Sequence, residues 1–235
     1  MDQLLDLFFI PDLKHKYPHE ISAGEAQRVG LVRSIIHNPD LLLLDEPFAN
    51  LDQNLKEKAQ KNLKEIIKSS NITTIIVTHD KYEAFYLSDF CGVLINGKIA
   101  QFDSPYNIHH VPSSKEIVEF FNRGILVPAK VISEDTLFNE DLGEIKGELI
   151  KKYSKGEMVE LLIQPEDLIH DDNSKLKFEV VDKKFRGTDL IYTLKTKSNI
   201  LLPVFVHSHH EHLHDVTEKF GLKQPIYIDH LVCFN

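Results

Sequence analysis

The residues best placed to do chemistry are two acids at the end of an apolar run. Leu41–Leu44 is followed directly by Asp45 and Glu46. The run follows the turn signal Asn38-Pro39-Asp40, which predicts a short strand buried on both faces. The two carboxylates would then sit at the carboxyl end of a parallel strand, where open α/β sheets place their ligands. Burying an unpaired carboxylate costs several kcal/mol, on the order of a lost ion pair. A divalent metal carrying a nucleotide would supply the missing countercharge. Asp45 would hold Mg²⁺ through its shell of water, and Glu46 would orient or deprotonate an attacking water. The plainer alternative is a core strand ending in a solvated acidic turn.

The elements around this strand sharpen the reading. Ser22 and Glu25 form a capping box before Ala26, Val29, Val32, Arg33 and Ile36, which recur at helical spacing. Ala23 and Gly24 leave the first turn bare. A bare, capped helix N-terminus is a ready anion site, and phosphate is the usual anion. Asn38 before Pro39 ends this helix. Leu55, Ala59, Leu63 and Ile66 then predict a surface helix running to about Ser70. Thr73–Val77 is β-branched and predicts a second buried strand, ending in Thr78-His79-Asp80. His79 thus falls at a strand's carboxyl end, as Asp45 does.

These motifs resemble, in order and spacing, those of ATP-binding-cassette (ABC) transporter ATPases. Ile21–Arg28 (ISAGEAQR) is similar to the signature motif, with Ala23 for its first glycine and Glu25 for its usual glutamine. Leu41–Pro47 resembles the Walker B strand, Phe48–Asp52 the D-loop, and His79 the switch histidine. The resemblance implies ATP and Mg²⁺ as cofactors and a dimer that sandwiches two ATPs. Asp45 would position Mg²⁺, Glu46 would act on water, and His79 would contact the γ-phosphate. Ser22, Ala23, Gly24 and Glu25 would face the partner's nucleotide, and Asp52 would couple the two sites. It also implies permease subunits in the membrane and a peripheral place on its cytoplasmic face.

Gly92–Lys98 spells G-x-x-x-x-G-K, but Ile99 follows where a phosphate loop needs Ser or Thr. The stretch reads instead as a hairpin turning at Asn96-Gly97. No other G-x-x-x-x-G-K occurs in the sequence. In the family, the phosphate loop and Q-loop precede the signature, so this chain resembles the C-terminal portion of such a subunit. It is expected to be inactive alone. A second ATPase copy, or a separately encoded phosphate-loop half, would complete it.

Composition agrees with this class. A net charge of −9 argues against a nucleic-acid partner. No apolar run approaches the roughly 20 residues of a membrane span. The N-terminus lacks a basic region and a cleavage site, and Cys91 and Cys233 match no metal spacing and fit a reducing cytosol.

The expected fold is a C-terminal portion of an α/β ATPase over residues 1–122, a partial parallel sheet with helices, followed by a small all-β barrel over 123–235. Short helices are predicted after Ser104 and after Ser113-Ser114. The barrel's expected strands are Leu126–Ile132, Glu144–Leu149, Met158–Ile163, Lys177–Phe185, Leu190–Lys195, Ile200–Val206 and Pro225–Phe234. This region resembles the transport-associated OB-like (TOBE) domain of importer ATPases, best at Gly156–Leu168, with Gln164 where the family usually has Arg. His207, His209, His210, His212 and His214 crowd into one short tract that could bind a transition metal or could be a polar loop. Gly124–Val131 and Ser208–His212 resemble segments of ferric-ion importer ATPases, which implies iron as cargo. The competing readings are a metal-responsive interaction module and the same ATPase serving polyamine, sugar or sulfate import.

Overall fold

The computed structural model describes residues 1–121, 124–209 and 213–235, which divide into two compact units, Met1–Cys91 and Gly92–Asn235.

The first unit is a two-stranded parallel sheet with helices. Strand β1 (Leu41–Asp45) pairs with β2 (Thr73–Val77), Leu42 opposite Thr74 and Leu44 opposite Ile76. Helices α1 (Asp2–Leu7), α2 (Ala23–Ile35), α3 (Gln53–Ser70) and α4 (Lys81–Leu87) complete it. Leu42 and Leu44 are buried with Leu31, Val32 and Ile35 of α2 and with Ala59 and Leu63 of α3. Phe48, just beyond β1, joins the same core. Leu13 and Ile72 belong to it as well.

The sheet departs from the expectation of strands buried on both faces. Leu41 is 49% exposed, Leu43 64%, Ile75 55% and Val77 58%. Side chains alternate across a strand, so these four share the face opposite Leu42 and Leu44. Only one face carries a described layer of this unit. A run of four leucines therefore behaves as an alternating strand, because burial depends on what covers each face.

The second unit opens with the hairpin β3 (Cys91–Ile95) and β4 (Lys98–Asp103). Its turn residues Asn96 and Gly97 have φ of 50° and 74°, the left-handed pair that a type I′ turn requires. The G-x-x-x-x-G-K stretch is thus a hairpin, and its lysine begins strand β4 rather than a helix. Helix α5 (Pro105–His110) is capped by Ser104, whose Oγ accepts the Asn107 amide, and α6 (Lys115–Phe121) follows.

The rest is all-β. A six-stranded sheet has the order β13-β7-β6-β5-β8-β14. Its members are β5 (Ile125–Ser133), β6 (Thr136–Asn139), β7 (Gly143–Leu149), β8 (Met158–Ile163), β13 (Ile226–Leu231) and β14 (Cys233–Phe234). Strands β13 and β14 occupy opposite edges, yet only Val232 separates them in sequence. The sheet must therefore curl until its edges meet. Gly147 permits the close approach this needs, since a Cβ there would lie 1.8 Å from the Ile228 carbonyl oxygen.

A four-stranded antiparallel sheet has the order β11-β10-β9-β12. It comprises β9 (Lys177–Phe185), β10 (Asp189–Lys195), β11 (Leu201–His207) and β12 (Lys219–Gly221). Its inward residues, among them Val180, Tyr192, Leu194 and Val204, share one core with Val127, Ile145 and Leu161 of the six-stranded sheet. Six of the expected strands are present within a residue of their ends, but Pro225–Phe234 is two strands, β13 and β14, on opposite edges of the six-stranded sheet, and β6 and β12, each of four residues or fewer, are additional. No helix among the described residues is long and apolar enough to cross a membrane.

Candidate functional site

The carboxyl ends of β1 and β2 bring the acids and the histidine together. The β1 strand ends at Asp45, which registers opposite Val77. Glu46 then donates its amide to the Val77 carbonyl at 2.8 Å. Its φ is 44°, in the left-handed region that non-glycine residues rarely adopt. Such strain persists only where neighbours hold it, and it clusters at working sites. Here the Gln27 side-chain amide, from α2, donates to the Glu46 carbonyl at 2.6 Å.

That turn aims Glu46 at His79. Its Oε1 lies 2.9 Å from His79 Nδ1. An ionised carboxylate can only accept, so Nδ1 carries the proton in this pair. The His79 side chain is 77% exposed and Glu46 49%, so both are open to solvent and to a ligand. Asp45 is exposed beside them. Among the described residues no Lys or Arg forms an ion pair with Asp45 or Glu46. Their oxygens thus remain available to a hard divalent cation such as Mg²⁺, which prefers oxygen donors.

The next residue, Asp80, is structural. Its carboxylate caps α4 by accepting the Tyr82 amide at 2.9 Å and the Glu83 amide at 3.3 Å. Partial burial pushes the carboxyl up, but Lys56 at 2.7 Å and the two amides outweigh it and hold it below the usual range. This fixes the chain just beyond His79.

The expected capping box at α2 is formed. Ser22 Oγ accepts the Glu25 amide at 3.3 Å, and Glu25 Oε2 accepts both the Ser22 amide and the Ser22 hydroxyl at 2.8 Å. The Ser22 amide and hydroxyl bonds hold the Glu25 carboxyl below its ordinary range. Ala23 and Gly24 open the helix between them. A Cβ on Gly24 would lie 2.8 Å from the Asn50 carbonyl oxygen, so the start of α2 packs directly on the turn after β1. Asn50 also donates to the Gln27 side chain at 3.1 Å. Asp52 caps α3, accepting the Leu55 amide at 3.1 Å.

Ser22–Glu25, Asp45–Glu46, Asn50–Asp52 and His79 are therefore linked through the Gln27 bridge and the Gly24–Asn50 contact. Gln27 and Asn50 were not singled out from the sequence. Their signal is weak there, because a helix glutamine and a turn asparagine are ordinary residues until their partners are known.

Residues 1–49 match the ABC transporter family model. This stretch is similar to ABC transporter ATP-binding proteins, and the curated relatives of the chain include import ATP-binding proteins. The chain is 32% identical over 235 residues to the spermidine/putrescine import ATP-binding protein PotA of Mycoplasmopsis synoviae, covering 97% of this chain and 49% of that protein. It is 39% identical over 156 residues to PotA of Aster yellows witches'-broom phytoplasma, covering 66% and 37%. It is 35% identical over 136 residues to the Fe(3+) ions import ATP-binding protein FbpC of Haemophilus influenzae, covering 58% and 39%. The chain thus spans about half the length of these relatives, or less. A dimeric ATP-binding cassette bound to ADP and Pi in a post-hydrolysis state matches 44% of each chain at 26% identity, with a TM-score of 0.39.

Among the described residues of the histidine tract, His207 and His209 do not join His214. His207 Nδ1 lies 3.4 Å from an Asp189 oxygen on an 84%-exposed side chain, and His209 is exposed on a turn. His210 and His212 lie outside the described residues. His214 is buried and meets His170 and Asp172, neither of which was a candidate from the sequence.

Proposed function

We propose that this chain forms part of the ATP-binding subunit of an ABC importer, on the cytoplasmic face of the membrane. The single observation that carries this reading is Glu46 held in left-handed backbone at the end of β1 with its carboxylate on His79. Residues 1–122 are the ATPase portion and 123–235 the TOBE-like portion in this reading.

Mg²⁺ and ATP, when bound, supply an electrophilic γ-phosphoryl group. Asp45 would hold the cation, and Glu46 would orient and deprotonate the attacking water. His79, fixed through Nδ1, presents Nε2 toward the terminal phosphate. Ser22 and the bare first turn of α2 act on the nucleotide of a second ATPase copy, with the amides of a helix N-terminus as anion ligands. Asp52, which caps α3, couples the two sites. The phosphate loop is supplied by residues outside these 235, and permease subunits receive the motion.

Polyamine and ferric-ion import proteins are both among the relatives. The polyamine relative matches 97% of the chain and the ferric one 58%. The greater coverage favours a polyamine as cargo over the iron suggested by the short segments.

The test is ATP hydrolysis by the assembly purified from the native cells through a tag on this chain. Glu46→Gln should reduce hydrolysis at least a hundredfold while ATP still binds. Undiminished hydrolysis by that variant would overturn the assignment.

A further inference from the structure

We propose that His170, Asp172 and His214 form a binding site for a divalent transition-metal ion of the zinc type. The Nε2 atoms of His170 and His214 lie 2.9 Å apart. Oδ1 of Asp172 lies 3.1 Å from the first and 3.2 Å from the second. The three atoms make a nearly equilateral triangle. Ligand atoms around a tetrahedral zinc ion, with bonds of about 2.0–2.1 Å, stand about 3.3 Å apart. A slight outward movement of the imidazoles would seat the ion on this triangle. Two imidazoles and one carboxylate suit Zn²⁺, Co²⁺ or Ni²⁺, whereas Mg²⁺ and Ca²⁺ prefer oxygen alone.

The surroundings preorganise the three ligands. The His170 and His214 side chains are 6% and 3% exposed, while Asp172 is 41% exposed. The two imidazoles are thus held within the protein, and the carboxylate lies at the rim. The Phe220 ring packs 4.3 Å from the His170 ring and 4.9 Å from that of His214. The His214 amide donates to the Tyr192 hydroxyl at 3.3 Å, and Lys183 Nζ donates to the His214 carbonyl at 3.0 Å.

The loop carrying His170 and Asp172 sits directly on β12. His170 bridges to Leu222, and the Asp171 amide donates to the Gly221 carbonyl at 3.0 Å. A Cβ on Gly221 would lie 2.0 Å from the Asp171 carbonyl oxygen. Only glycine allows that approach.

A carboxylate also stands behind one ligand. Oε2 of Glu218 is 4.0 Å from Nδ1 of His214. The ion would pin the loop around His170 to the segment around His214, across 44 positions of sequence. This site is independent of the ATPase reading.

The full 235-residue chain, stripped by a chelator, is titrated with Zn²⁺ by calorimetry and with Co²⁺ by visible absorption. One ion per chain, tetrahedral Co²⁺ bands and a rise of several degrees in the unfolding midpoint are expected. Asp172→Asn, at the exposed rim, should weaken binding at least tenfold, and His170→Ala should remove the Co²⁺ bands. A variant with His207, His209, His210 and His212 changed to Ala should still bind one ion. The proposal is overturned if the native chain takes up no stoichiometric ion. It is equally overturned if Asp172→Asn binds as the native chain does, or if only the tract variant loses the ion. Should His170→Ala fail to fold, the Asp172→Asn titration decides.

Discussion

Glu46 Oε1 and His79 Nδ1 lie 2.9 Å apart, on the turns that follow two paired parallel strands. The contact joins a carboxylate in strained backbone to an imidazole fixed by the capped start of α4. Each residue therefore orients the other. With Nδ1 donating to Glu46, a His79 that also donates from Nε2 must be an imidazolium.

His79→Gln tests that orientation. In the native assembly it should lower ATP turnover at least tenfold with little change in apparent ATP affinity. A uniform loss of affinity with unchanged turnover would place His79 in binding alone.

Gly24→Ala would ordinarily strengthen a helix by up to about 1 kcal/mol. Here the new methyl would stand 2.8 Å from the Asn50 carbonyl oxygen. The backbone of the turn cannot yield as a flexible side chain would. The variant should lose stability, by about 1–2 kcal/mol, measured by urea unfolding. A gain in stability would show that the α2–turn contact is looser than this geometry.

Ser22→Ala removes the acceptor of the Glu25 amide and a donor to the Glu25 carboxylate. Loss of an N-cap costs about 1 kcal/mol. The same unfolding measurement should show this, while Ser22→Thr, which keeps both the acceptor and the hydroxyl donor, should recover most of it. Recovery of stability without recovery of turnover would separate the cap from the contact with nucleotide.

The parts of the fold legible in the sequence were those decided locally. The Ser22–Glu25 box, the helix start after Ser104 and the Asn96-Gly97 turn each depend on neighbours a few residues away. The one-sided burial of Leu41–Leu44 was not legible, because it depends on which elements cover each face of the sheet. Strands β6 and β12 are too short to show a period of two. The left-handed Glu46, the Gln27 bridge and the meeting of His170 with His214 all arise from contacts between distant segments. The acids and His79 were legible as candidates because apolar strands point to their own ends. Their mutual geometry was not.

Asp167 supplies a pH-dependent prediction for the β unit. Burial pushes its carboxyl up to about 6, although the Gln164 amide donates to it. An unfolded chain releases that proton near the ordinary carboxylate value of about 3.9. Between the two values the folded state binds more protons than the unfolded one, so stability falls as pH rises. The loss should begin near pH 4, level off above pH 6, and amount to no more than about 3 kcal/mol. Asp167→Asn keeps an acceptor for the Gln164 amide but does not titrate. Thermal unfolding followed from pH 4 to pH 7 should therefore be flatter in the variant than in the native chain by that amount. Parallel profiles would show that Asp167 ionises in the folded state as it does in the unfolded one.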